Sequence, residues 1–83
     1  MGKFRKKPVV IEAIQWKGDN FREVEKLLSK STREWERNGD LIIIDTLEGK
    51  HNCQINDWII LGVKKETYPC KPDIFEATYE GIK

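Results

Sequence analysis

Apolar positions along this chain recur in two rhythms, and the change from strand period to helical period sets the expected fold. From Pro8 to Trp16, the β-branched and aromatic residues Val9, Val10, Ile11, Ile14 and Trp16 predict a first strand, with Pro8 at its tolerant first position. Alternation places Val10, Glu12, Ile14 and Trp16 on one face and Val9, Ile11, Ala13 and Gln15 on the other, so an interior strand is expected. Gly18-Asp19-Asn20 stops it, and Asp19 or Asn20 can cap a helix. Phe21, Val24, Leu27 and Leu28 then fall at i, i+3, i+6 and i+7, an apolar stripe that predicts a helix over residues 20 to 30 with Glu23 in its first turn.

The period then returns to that of strands. Ser29 to Gly39 is polar around Trp35 and reads as a loop or an extra helical turn, with Trp35 closing one end of the core. Leu41 to Ile44 is apolar at consecutive positions, as in a strand covered on both faces or closed into a small barrel. After the turn Glu48-Gly49-Lys50, the residues His51, Cys53 and Ile55 alternate with Asn52 and Gln54, which completes a hairpin. Asn56-Asp57 turns into a strand from Trp58 to Val63. Lys64-Lys65-Glu66 then turns into a short edge strand, Thr67 to Cys70, kept from central pairing by Pro69. Asp73 with Glu76 has capping-box spacing, and Phe75 and Tyr79 lie four apart, so a short terminal helix is expected; a last strand through Phe75, Ala77 and Tyr79 is the alternative.

The order gives an α+β fold, one amphipathic helix packed on a curled, mostly antiparallel four- to five-stranded sheet or small incomplete barrel. Its expected core is Val9, Ile11, Ile14, Trp16, Val24, Leu27, Leu28, Ile42, Ile44, Ile55, Trp58, Ile60, Val63 and Phe75. The 83 residues read as a single domain, with 1–7 a basic arm and 31–40 a variable loop. A domain of this size buries only about 60 to 65% of the surface of its unfolded chain, so each large apolar residue carries weight.

Charge narrows the functional classes. Fifteen basic and fourteen acidic side chains leave a net charge of +1, which gives no overall attraction to nucleic acid or an anionic membrane. The apolar runs are far shorter than the roughly 18 residues that span a bilayer. The basic start Met1 to Pro8 is followed by Glu12 and Gln15 rather than by an apolar stretch and cleavage site, so a cytosolic location is expected. There Cys53 and Cys70 stay reduced and behave as small hydrophobes.

The segments Arg5-Lys6-Lys7-Pro8-Val9-Val10-Ile11-Glu12-Ala13-Ile14-Gln15-Trp16, Thr46-Leu47-Glu48-Gly49, Asp57-Trp58-Ile59-Ile60 and Tyr68-Pro69-Cys70-Lys71-Pro72-Asp73-Ile74-Phe75 together resemble a family of short phage and prophage proteins of Gram-positive bacteria. The resemblance spans nearly the whole chain except Ser29 to Asp40. It implies a phage origin and a bacterial host cytoplasm, and brings no catalytic residues with it. In that family a glycine is expected where this chain has Asn56, and another where it has Lys65; asparagine accepts a left-handed backbone more readily than lysine, so the second turn is expected to differ here.

No complete catalytic constellation emerges. His51 and Cys53 share a strand face, but two ligands do not make a metal site, and Cys70 or Asp57 would have to converge on them. The same histidine as base for a cysteine nucleophile needs an exposed thiolate, whereas alternation points Cys53 inward. Glu12 with Asp45 or Asp57 could form a carboxylate pair, although a carboxylate so placed more often meets a lysine or arginine. No cofactor and no enzymatic activity are therefore expected. Two binding readings stand. Lys3, Arg5, Lys6 and Lys7 could hold nucleic acid, with Trp16, Trp58 and Tyr68 as stacking platforms. The preferred reading is an interaction surface built on Tyr68, Pro69, Lys71 and Pro72, engaging a host or phage protein or a second copy of the chain.

Overall fold

A computed structural model describes residues 11–79. The elements are β1 (Glu12–Gln15), α1 (Phe21–Ser29), β2 (Trp35–Asn38), β3 (Leu41–Thr46), β4 (Gly49–Cys53), β5 (Trp58–Leu61), β6 (Thr67–Cys70) and α2 (Pro72–Thr78). The class is α+β, but among the described residues the single sheet expected from the sequence is two antiparallel three-stranded sheets, in the orders β1-β5-β6 and β2-β3-β4, and α2 accompanies the amphipathic helix α1. Continuity breaks because β4 ends at Cys53 and the chain turns through Asn56, whose φ of 80° carries it out of the second sheet before β5 starts. The first strand therefore lies at a sheet edge rather than in the interior, beside β5 with Ile14 opposite Ile59. The first positions of that strand, and Val9 of the expected core, fall outside the described residues.

Register explains which side chains meet. Ile14, Ile59 and Leu61 on the inner face of the first sheet meet Ile42, Ile44 and Cys53 of the second, and Val24, Leu27 and Leu28 of α1 join them around Trp16. Each aliphatic side chain among them that is fully removed from water contributes roughly 1.5 to 3 kcal/mol. The outer face of the first sheet is also covered. Trp58 there stacks on Phe75 of α2 with ring centroids 4.0 Å apart and planes 5° from parallel. Both faces of β5 are thus occupied, which is why Trp58-Ile59-Ile60-Leu61 is apolar without alternation.

Part of the stretch read as a loop forms β2. Its polar sequence Trp-Glu-Arg-Asn pairs with β3, placing Trp35 opposite Ile44 and Arg37 opposite Ile42. Trp16, Phe21 and Trp35 meet edge to face, and the Arg37 guanidinium lies 4.4 Å from the Phe21 ring centre and 5.3 Å from that of Trp16. Trp35 thus packs against one side of the core, and the Trp16 indole N–H donates to the Asp40 carbonyl at 2.7 Å.

Other expectations need correction. Ile55 and Val63 are exposed because both sit in turns after their strands have ended. Asn20 occupies the N-cap position of α1 without capping it: its side chain accepts from the Lys17 N–H and donates to the Gln15 carbonyl, bracing the preceding turn. At α2 the capping-box reading fails, since Asp73 lies inside the helix and Pro72 opens it; Pro72–Thr78 is helix and not strand.

Candidate functional site

Where the hairpin tip of the second sheet approaches β6 of the first, the surface opens into a cleft of about 370 Å³. Thr46, Leu47 and Glu48 form one wall, Thr67, Tyr68 and Pro69 the other, and Arg33, His51 and Glu66 complete it. The two-residue turn Leu47-Glu48 joins β3 to β4, with Thr46 opposite Gly49. Thr46 Oγ1 donates to the Gly49 carbonyl at 2.9 Å and accepts from the Glu48 N–H, and Gly49 has a φ of 113°, open to glycine and strained for other residues. This tight turn leaves Leu47 87% exposed at the cleft mouth.

The opposite side is held by a staple between two loops. Thr32 N–H donates to the Lys65 carbonyl at 2.8 Å, Arg33 N–H to Ser31 Oγ at 2.9 Å, and Ser31 Oγ lies 3.0 Å from Thr67 Oγ1 in a second hydrogen bond. The loop after α1 is thereby fixed to the turn before β6, and Arg33 is carried to the cleft beside Glu66. His51, opposite Ile44 on the inner face, completes the set. The lining thus combines apolar side chains with an arginine and two carboxylates, an arrangement that can hold an apolar group and orient polar neighbours. A second hollow of about 190 Å³, on the outer face of the second sheet, is lined mostly by Glu34, Glu36, Asp45 and Lys50 around Trp35 and Ile43, and is more polar.

The sequence-derived candidates separate in space. Tyr68 and Pro69 line the cleft. Pro72 begins α2, while Lys71 reaches inward with its ammonium 3.1 Å from Asp57, a carboxylate whose side chain is 5% exposed and which also accepts the Gln54 N–H at 2.9 Å. Lys71 thus ties the start of α2 to the turn before β5. The basic arm, Lys3, Arg5, Lys6 and Lys7, lies outside the described residues. Of the proposed stacking platforms, Trp16 is fully buried and Trp58 is covered by Phe75, which leaves Tyr68. Burial, then a hydrogen bond with Tyr79, pushes the Tyr68 phenol up to about 12.

Polar constellations considered for chemistry resolve into structural pairs. Glu12 faces Lys30 at 3.1 Å and Asp57 faces Lys71, so the two carboxylates are each matched by a lysine. Cys53 is buried, and burial followed by the Asp57 charge pushes its thiol up to about 12, opposite to what a nucleophile requires. Both cysteines are free thiols. Among the described residues no three of His, Cys, Asp and Glu converge as a metal site, and no helix is long and apolar enough to cross a membrane.

Leu47, Arg33, Glu48, His51 and Glu66 were not anticipated as parts of one site. Leu47 carried a signal: a large apolar residue in a hairpin turn has no core within reach. Arg33 and Glu66 carried none, because the staple that unites them links distant segments. Comparison of the chain with protein-family profiles, with curated proteins and with solved structures found no match.

Proposed function

We propose that this chain is a non-enzymatic accessory protein that acts by binding another protein, an extended segment of which seats an apolar side chain in the cleft between Leu47 and Tyr68-Pro69. The observation that carries this reading is Leu47, left 87% exposed at the mouth of a cleft whose other wall holds Tyr68 and Pro69. Covering a leucine so displayed is worth roughly 1.5 to 3 kcal/mol, a gain available only on docking. Arg33 on one side and Glu48 on the other offer both signs of charge to the polar neighbours of the anchor. The resemblance to phage and prophage proteins supports a bacterial host cytoplasm as the setting and a host or phage protein as the partner.

A photo-crosslinking amino acid placed at Leu47 in the full chain tests this in host lysate treated with nuclease. One discrete protein adduct is expected, lost when Tyr68→Ala and Arg33→Glu are introduced together. An adduct unchanged by those substitutions would remove the cleft from the proposal. Retention of the chain that disappears with nuclease would favour nucleic-acid binding through the basic arm instead.

A further inference from the structure

We propose that α2 is a displaceable strap that lifts from the outer face of the first sheet as a unit, turning about Lys71, while the two-sheet core stays folded. Several independent features of the helix converge on this. It has seven residues and none of them is buried. A helix this short has little stability of its own and depends on what it touches. Lys71, at its N-cap position, supplies no side-chain cap, and Ile74 points an apolar side chain into solvent, 57% exposed.

Among the described residues, what holds the strap is narrow. Phe75 stacks on Trp58, Tyr79 leans on Phe75 with centroids 5.0 Å apart, and Lys71 reaches Asp57 at the root. The Lys71 side chain is 55% exposed, so solvent weakens that ion pair. The joint is a single extended residue, since β6 ends at Cys70 and α2 begins at Pro72, and Lys71 has φ −67° and ψ 146°. None of these contacts involves the inner core of Trp16, Val24, Leu28, Ile42, Ile44 and Ile59, which packs from the other side of the sheet.

A further observation favours opening. Trp58 Nε1 is buried and has no hydrogen-bond acceptor among the described residues. A buried donor without an acceptor penalises the closed arrangement, and opening relieves it by admitting water to the N–H. Opening also uncovers the sheet face that Tyr68 shares with Trp58, and Tyr68 borders the cleft. The strap would therefore influence the proposed binding surface; that consequence rests on the cleft reading, whereas the opening itself does not.

Hydrogen exchange followed by NMR on the full chain tests the opening without any partner. The probes are the amides of Phe75 and Tyr79, which donate to the carbonyls of Lys71 and Phe75 at 2.8 and 2.9 Å, the Trp58 indole N–H, and the Trp16 amide, which donates to the Asp57 carbonyl at 2.9 Å. The first three should exchange through a common opening at least ~100-fold more populated than the one that exposes Trp16, and with a weaker dependence on urea. Phe75→Ala should raise all three by ~10-fold or more and leave Trp16 unchanged. Protection of all probes by one shared opening with one urea slope in the wild-type protein would overturn the proposal. So would a Tyr79 amide that frays while Phe75 and the indole stay protected.

Discussion

Lys65 has a φ of 65° in the turn between β5 and β6, and Lys65→Gly should make the protein more stable although it removes a side chain. A left-handed conformation costs an L-residue roughly 1 to 2 kcal/mol. Glycine pays no such steric cost but loses roughly 0.5 to 1 kcal/mol more backbone entropy on folding. Near the middle of the two ranges the difference is a net gain of about 0.5 to 1 kcal/mol. The backbone bonds of the turn survive the change: Lys65 N–H to the Gly62 carbonyl at 3.0 Å, Gly62 N–H to the Glu66 carbonyl at 2.8 Å, and the Lys65 carbonyl from Thr32. For a domain of this length the gain corresponds to a rise in Tm of about 2 to 8 °C. Urea and thermal unfolding of wild type, Lys65→Gly and Lys65→Ala check it. Alanine removes the charge beside Lys64 but keeps the Cβ, so it should give no gain. Equal stabilisation by alanine would show that charge repulsion and not backbone strain was the cost, and a loss of stability in the glycine variant would refute the reasoning outright.

The other predictions concern polar groups. Asp57→Ala should destabilise by about 1 to 3 kcal/mol, because it leaves the Gln54 N–H without its acceptor, whereas Glu12→Ala should cost less than about 0.5 kcal/mol, its pair with Lys30 being more than half exposed on both sides. Equal costs in urea unfolding would contradict that ranking. Alkaline stability follows from Cys53, whose thiol is raised by burial and then by Asp57 from 9.0 to about 12 in the folded protein. The folded state then holds its proton more tightly than the unfolded chain, so the stabilisation is fully present below about pH 9 and is lost as pH rises towards 12. Cys53→Ser should flatten the fall in the urea midpoint across that window, and an unchanged slope in this variant would count against the assignment.

How far the fold is legible depends on how local its determinants are. The stripe Phe21, Val24, Leu27 and Leu28 needs no knowledge of the rest of the chain, and the helix and three of its buried residues follow from it. The hairpin of β3 and β4 is nearly as local. The uninterrupted run Trp58 to Leu61 indicates a strand covered on both faces, but not which residues face which cover; Ile59 and Leu61 enter the main core while Trp58 turns to α2. Alternation fails at Ile55 and Val63 because it was carried past the ends of strands into turns. Division into two sheets is the least legible feature, since it rests on β1 pairing with β5 across a helix and three strands. In β2 the polar residues hid a strand fixed by Arg37 over Trp16 and Phe21, a contact that no local pattern encodes.

The two expected glycine positions join sequence and structure more closely. Both Asn56 and Lys65 have positive φ, 80° and 65°, so the second turn, expected to differ because lysine accepts a left-handed backbone less readily, keeps that backbone after all. These turns do different work. Asn56 closes onto β1 through its N–H to the Trp16 carbonyl at 2.6 Å and starts β5, whose Trp58 supports α2. Lys65 receives Thr32 and so brings Arg33 to the cleft. One turn thus serves the strap and the other the cleft, and Tyr68 stands between them, bordering the cleft and sharing the sheet face of Trp58 on which α2 packs. If a partner binds through Tyr68, linkage requires that its affinity and the opening of α2 influence each other by the same factor.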